Sequence, residues 1–253
     1  MAERRLGAAV LAVVVLGAAL GLAAWWTTGP DAPSGQPVAS VAGAVLDRDV
    51  PSPEVQAQLR RSVRLVHAEG CGVERQATVT VLDRGGRTVG LTNQHVVAGA
   101  SEVSVDGVDG VDGVAGVAGQ IEVRGPVLDR DAAELDGDSL LAGGGAALRV
   151  GHRPSNGASV VVAGYPNGHF LAAAGTVRSI EQRQGYGATT DVIVIDAQAV
   201  PGISGGVVLD VTGAAIGLVA ARDPVTGDVV AYPLDVIGPA LDSGTVSCSG
   251  SGR

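Results

Sequence analysis

The segment VIVIDAQAVPGISGGVVLD, residues 192–210, sets two apolar runs, Val192 to Asp196 and Gly206 to Leu209, on either side of a glycine-rich turn that holds Ser204. Short branched runs bounded by Gly, Pro and Asp read as strands joined by turns. The same grammar continues outward in both directions. It recurs at Val63 to His67, Ala77 to Leu82, Val89 to Thr92, Glu102 to Val105, Val160 to Ala163, Gly175 to Ile180, Ala214 to Ala220 and Val229 to Tyr232. That many short strands at near-regular spacing argue for an all-β barrel or sandwich. Ser52 to Arg61 has an N-cap residue followed by Pro and Glu, which predicts a short opening helix. A second short helix is expected after Asp235.

The composition supports a packed domain. Of 253 residues 46% are hydrophobic, too many for a disordered chain, and only 2% are aromatic, so small and branched residues must fill the core. Every one of the 17 basic residues is arginine, and 26 acids leave a net charge of -9. That balance argues against nucleic acid as a partner, because neutralising phosphates requires a basic face.

The N-terminus carries the signal for location. Leu6 to Trp26 is 21 residues without a charge, long enough to cross a hydrocarbon core of roughly 30 Å. Arg4 and Arg5 precede it and Trp25 and Trp26 close it, the pattern of a single-pass helix with its N-terminus in the cytoplasm and everything after it exported. A cleaved signal peptide is the alternative, with Ala23 and Ala24 near a possible cut. The expected organisation is an anchor over residues 1–26, a Pro/Gly/Ser-rich tether over 27–53 and a folded domain over 54–253 in an extracytoplasmic position. Val105 to Gly119 is five V-x-G triplets and reads as an expanded surface loop. The two cysteines, Cys71 and Cys248, bracket the folded region, fit no zinc spacing and are expected to be bridged in an exported domain. A loop that long gives a disulfide up to about 5 kcal/mol in the chain-entropy picture.

Two segments carry the chemistry. Thr92-Asn93-Gln94-His95-Val96-Val97 sets a histidine directly after a strand, and Pro201-Gly202-Ile203-Ser204-Gly205-Gly206 sets a serine in a glycine turn before one. Both resemble the trypsin-like serine proteases, in which T-[AN]-x-H-[CV]-[VL] precedes G-[DN]-S-G-G in the chain. Between them Asp131-Ala132-Ala133-Glu134-Leu135 matches the family's D-x-A-x-L strand, with Asp129 as the fallback acid. The resemblance implies two antiparallel six-stranded β-barrels, a chymotrypsin-like fold, the first holding His95 and Asp131 and the second Ser204. It also implies a catalytic set of His95, Asp131 and Ser204, with the amides of Gly202 and Ser204 as the oxyanion hole. The chemistry stands on its own terms too: a serine hydroxyl is a poor nucleophile until an imidazole takes its proton, and the imidazole needs a carboxylate to fix its tautomer. No metal or cofactor is called for. His67, His152 and His169 lack such neighbours and read as ordinary surface or loop residues.

Val161 to Gly168 and Gly175-Thr176-Val177 look like the Deg/HtrA-like branch of that family, here without a PDZ domain. An anchor, a tether and a lysine-free Ala/Gly/Val/Arg-rich protease domain look most like membrane-anchored exported proteases of actinobacteria. Three departures stand out. Gln76-Ala77-Thr78-Val79 replaces the family's G-[ST]-G-F, Ile203 replaces its Asp or Asn, and Glu134 brings a charge where the family is apolar. By counting from Ser204 in the family's register, Gln198 floors the specificity pocket and Ala220, Ala221 and Arg222 line its side. That pocket suits small to medium aliphatic residues before the cut and disfavours Lys and Arg. The expected function is a serine endopeptidase tethered to the cell membrane and acting on envelope or misfolded proteins. The alternative is an inactive protease-fold module that binds or senses a partner.

Overall fold

The computed structural model describes residues 51, 53–106, 119–126, 130–142, 144–185, 188–198 and 200–239, all within one compact unit, Leu46–Arg253. A helix, Pro53–Ser62, opens it with Pro at its first position. The strands β1 (Val63–Gly70), β2 (Val73–Asp83), β3 (Thr88–Thr92) and β4 (Glu102–Val105) follow, with β1 paired antiparallel to β2 and β4, and β2 to β3. After them come β5 (Gly119–Gln120), β6 (Val123–Pro126), β7 (Ala133–Asp136) and β8 (Leu148–Arg149). These eight form one sheet in the order β5-β4-β1-β2-β3-β7-β6, with β8 pairing β2 in parallel.

The second half is a closed barrel of β9 (Ser159–Gly164), β10 (Leu171–Gly185), β11 (Ala188–Gln198), β12 (Val207–Asp210), β13 (Ala215–Arg222) and β14 (Asp228–Pro233), ordered β10-β11-β14-β13-β12-β9. The six-stranded second barrel is as expected. The first is not: among the described residues it is an open sheet, a half-barrel. Its outer strands explain this, since β5 is two residues long and β6 meets β7 across a register shift at Val123/Gly125, so too few ladder bonds run along either edge to close it.

Each of the ten apolar runs read from the sequence falls on a strand, most of them with bounds shifted or extended by a few residues. β5, β6 and β8 were not anticipated from the sequence, and β7 was expected only as the D-x-A-x-L strand that the resemblance implies. The turn after Pro233 is a single 3-10 turn, Leu234–Val236. Residues 1–50 lie outside the described part, as do Cys248 and most of the V-x-G triplets. Among the described residues no helix is long and apolar enough to cross a membrane. Cys71 occupies the turn between β1 and β2 with φ +53°, and no described cysteine is free.

The core follows from strand alternation. Along β9, Val160 and Val162 face the barrel interior while Ala163 packs at the junction with the first sheet, and along β11 Ile193 and Ile195 go in while Val192 and Val194 go to the junction. The junction cluster draws Leu59, Val63, Leu82, Leu91 and Leu148 from the first half and Val207, Leu209, Leu218, Tyr232 and Leu234 from the second. Strands with apolar residues on both faces are therefore those that serve an interior and the junction together.

Glu134 carries a charge into this core. Its side chain is 1% exposed on β7, and Arg87, just before β3, grips it bidentately with Nη1 to Oε1 at 2.6 Å and Nη2 to Oε2 at 3.0 Å. Removing the guanidinium would strand a buried carboxylate. Arg87→Ala is expected to lower the unfolding free energy by about 3 kcal/mol in urea titrations, whereas Arg87→Met combined with Glu134→Leu recovers most of that loss.

Candidate active site

His95 stands on a one-turn helix, Gln94–Val97, that begins as β3 ends. Val96 and Val97 are buried and pin the turn to the first core, which leaves the His95 side chain 40% exposed at the junction end. Asn93 caps the turn in extended geometry, and its Nδ2 donates to the Asp131 carbonyl at 2.7 Å. The strand pair β3·β7 thus carries the histidine and the acid in fixed register, Thr92 opposite Ala133.

Asp131 is 4% exposed, and both its oxygens are committed to His95. Oδ1 accepts the His95 backbone N–H at 2.9 Å, and Oδ2 lies 2.6 Å from Nδ1. A carboxylate is acceptor-only, so Nδ1 carries the hydrogen and Nε2 keeps its lone pair, the tautomer a general base requires. The alternative acid, Asp129, lies outside the described residues. Tyr232, buried on β14, borders the pair: burial first, and the Asp131 charge second, push its phenol above the ordinary range, while a hydrogen bond from the Asp131 backbone acts the other way.

Ser204 sits half-buried in the turn before β12. The peptides around it are held in turn. The Pro201 carbonyl accepts the Asn167 N–H at 3.2 Å, and the Ile203 carbonyl accepts the Gly206 N–H at 2.8 Å. In a trans peptide the N–H points opposite to the C=O. Engaging those two carbonyls therefore aims the N–H groups of Gly202 and Ser204 away from them, and among the described residues neither N–H donates a hydrogen bond. Ile203 supplies no polar hold on this turn. Its side chain is buried in the second barrel's interior cluster.

β2 meets the turn from the other half. Thr78 N–H donates to the Ser204 carbonyl at 2.8 Å, Thr78 Oγ1 to the Gly202 carbonyl at 3.1 Å, and Thr80 Oγ1 to the Gly205 carbonyl at 2.9 Å. The strand that departs from G-[ST]-G-F is thus the one that grips the serine turn, and no sequence signal other than its position marked it.

A cavity of about 140 Å³ opens beside Ser204, lined by Val200, Pro201, Ile203, Ser204, Ala221 and Arg222. Of the residues expected in a specificity pocket, Ala221 and Arg222 line it. Ala220 packs into the junction core by alternation along β13, and the backbone of Gln198 ends β11 paired with Asp228. Val200, Pro201 and Ile203 were missed, since counting fixes register along strands and not the course of a turn. The wall beyond Arg222 is braced by the Asp223 turn. Its carboxylate accepts the N–H groups of Thr226 and Val225 and is paired with Arg183, and these, in that order, hold it far below the usual carboxylate range.

Comparison with known proteins gives a consistent picture. A family model described as a trypsin-like peptidase domain matches residues 77–218. Among solved structures, the active form of the Rv3671c protease from M. tuberculosis is 26% identical, with a TM-score of 0.63 over 85% of this chain and 96% of that one. The HtrA-type protease AlgW, solved with a tripeptide, shares the fold at 24% identity and a TM-score of 0.61, over 74% of this chain and 61% of that one. A curated protein of Sinorhizobium fredii, y4bJ, is 33% identical over 147 residues, which span 55% of this chain and 22% of that protein.

Close approach makes one glycine indispensable. A Cβ on Gly205 would lie 1.9 Å from the Thr78 carbonyl oxygen and 2.6 Å from Thr92 Oγ1, at φ +80°. Gly205→Ala is expected to cost at least about 3 kcal/mol, read as a lowered midpoint in thermal or urea denaturation.

Proposed function

The chain belongs to the trypsin-like peptidase family, a family of serine endopeptidases, and from that premise we propose that it cleaves peptide bonds with Ser204 as nucleophile, His95 as base and Asp131 as the orienting acid. The observation that carries the reading is the Asp131 carboxylate spending both oxygens on His95, which leaves Nε2 as the proton acceptor.

In the proposed reaction Ser204 Oγ attacks the scissile carbonyl carbon as its proton passes to His95 Nε2. The carbonyl oxygen becomes an oxyanion received by the N–H groups of Gly202 and Ser204, each such donor contributing about 3 to 4 kcal/mol of transition-state stabilisation. The imidazolium, stabilised by Asp131, protonates the leaving amine as the C–N bond breaks. Water then repeats the sequence on the acyl-enzyme, releasing the acid and restoring Ser204.

The cavity beside Ser204 supports a preference for small to medium aliphatic side chains before the cut. Its volume is close to that of a cavity that takes one benzene molecule, and Val200, Pro201, Ile203 and Ala221 make most of its wall. It holds no acid, and Arg222 stands in its lining, which disfavours Lys and Arg. Selectivity of this kind is worth only about 1 to 3 kcal/mol per methylene, so it is broad.

The location belongs to the same proposal. Leu6 to Trp26 serves as a single-pass anchor, residues 27–53 as a tether, and the protease domain acts outside the cytoplasm on envelope or misfolded proteins, closed by a Cys71–Cys248 disulfide. The composition supports an actinobacterial source.

A fluorophosphonate probe tests the chemistry on the full chain. Labelling of the wild type and none of Ser204→Ala is expected, and Asp131→Asn should lower turnover by about 10⁴-fold through the wrong tautomer. A wild type that takes no label and cleaves nothing in a peptide library points instead to a binding module. In the library, a dominant signal for Arg or Lys before the cut would overturn the pocket assignment. Mass spectrometry without reductant should find no free thiol, and two free thiols would remove the disulfide.

A further inference from the structure

Resting on the hydrolytic reading above, we propose that Thr78 is a positioning residue whose side-chain hydroxyl fixes the direction of the Gly202 amide that receives the oxyanion. The weak point of any such turn is its glycine. Gly202 holds φ +90°, and a residue without Cβ crosses between backbone basins at little steric cost. Something must hold the peptide that follows it.

In this chain a single oxygen does so. Thr78 Oγ1 donates to the Gly202 carbonyl at 3.1 Å and accepts the Tyr165 N–H at 2.9 Å. The first bond pins the 202–203 peptide, whose own N–H closes on the Val200 carbonyl at 3.2 Å. The second pins the turn Tyr165-Pro166-Asn167, and Asn167 N–H is the group that holds the Pro201 carbonyl and so aims the Gly202 N–H. The 202–203 peptide and the Pro201 carbonyl that aims the Gly202 N–H are therefore both restrained through one hydroxyl, while the Gly206–Ile203 bond aims the Ser204 N–H separately.

No other side chain holds the Gly202 carbonyl among the described residues, and Thr78 itself is fully buried. Ile203 fastens the turn only by apolar packing in the barrel interior, which fixes depth and leaves rotation of the neighbouring peptide free. Asn167 itself sits at φ +52°, a conformation held from outside and not by local preference. The His95–Asp131 pair lies on other elements and makes no hydrogen bond to Thr78.

The test compares Thr78→Val, which keeps shape and branching, with Thr78→Ser, which keeps the hydroxyl. Each is made in the full chain, and the second-order rate of fluorophosphonate labelling is measured across pH. Thr78→Val is expected to label about 30- to 100-fold more slowly, the order of loss that a misplacement of about 1 Å produces. Thr78→Ser should stay within about threefold of wild type, because the bond-forming oxygen remains. The pH midpoint of labelling should not move in either, and for any peptide the wild type cleaves, the loss should fall on kcat with KM nearly unchanged.

Labelling of Thr78→Val at the wild-type rate overturns the proposal, and so does a loss in Thr78→Ser as deep as in Thr78→Val, which would mark a packing role. A shifted pH midpoint would overturn it as well, by assigning the effect to His95. Where a thermal melt shows Thr78→Val unfolded, Thr78→Ala against Thr78→Ser gives the same comparison across one oxygen atom. An unlabelled wild type overturns the hydrolytic reading and this role together, whereas a labelled wild type with an unaffected Thr78→Val overturns this role alone.

Discussion

One residue of β2 holds the two halves of the molecule in register. Thr78 donates its N–H to the Ser204 carbonyl, accepts the Thr92 hydroxyl at 2.7 Å on its own carbonyl, and uses its hydroxyl toward Gly202 and Tyr165. Thr78 itself is fully buried at the centre of these four bonds. A buried polar group left without its partner costs about 1 to 3 kcal/mol, so sliding the barrel by a fraction of an ångström against the sheet is penalised several times over. Apolar packing alone would not do this, because it is non-directional. The junction cluster from Leu59 to Ile237 keeps the halves together, and the threonines decide where they stop.

Division of labour between the halves follows from that seam. The first sheet presents His95 and Asp131 from adjoining strand ends, and the second barrel presents Ser204 from a turn whose alternate carbonyls are all occupied. The candidate residues are thus shared between the two halves. The turn can be glycine-rich, and so able to expose its N–H groups, only because partners outside it supply the restraint that side chains of its own would otherwise give. Gly205 shows the cost of this arrangement, since the closeness that lets Thr78 and Thr80 reach the turn leaves no space there for a methyl group.

Charge is arranged to serve the scaffold. Arginines are consumed by carboxylates: Arg87 by Glu134, Arg153 by Asp191 and Asp235, Arg178 by Asp196 and Asp228, Arg183 by Glu181 and Asp223. Most are half-exposed and contribute little individually, but the Glu134 pair is buried on one side and is the price of carrying a carboxylate into β7. Guanidinium groups suit such sites because their planar fork meets a carboxylate with two bonds. Arg84 uses the same reach on neutral acceptors, donating to the carbonyls of Ile237 and Gly238 and fastening the end of the described chain to the first sheet.

The sequence by itself determined most of the strands and the candidate residues of the site. Ten apolar runs became strands because alternation is a local property, and TNQHVV and PGISGG marked His95 and Ser204 as candidates because turn chemistry is local as well. Asp131 was legible through its motif, although the acidic stretch around it also reads as a solvated loop. Only the tertiary structure decided the rest. It opened the first barrel, since closure depends on how many ladder bonds short edge strands make. It drew Arg87 onto Glu134 across β3 and β7, sent Ala220 into the junction core while Val200, Pro201 and Ile203 joined the cavity wall, and gave Thr78 its position over the serine turn. Those outcomes depend on contacts between residues as far apart in the chain as Thr78 and Gly205, and periodicity, which reports only the face a residue occupies on its own strand, carries no information about what that face will meet.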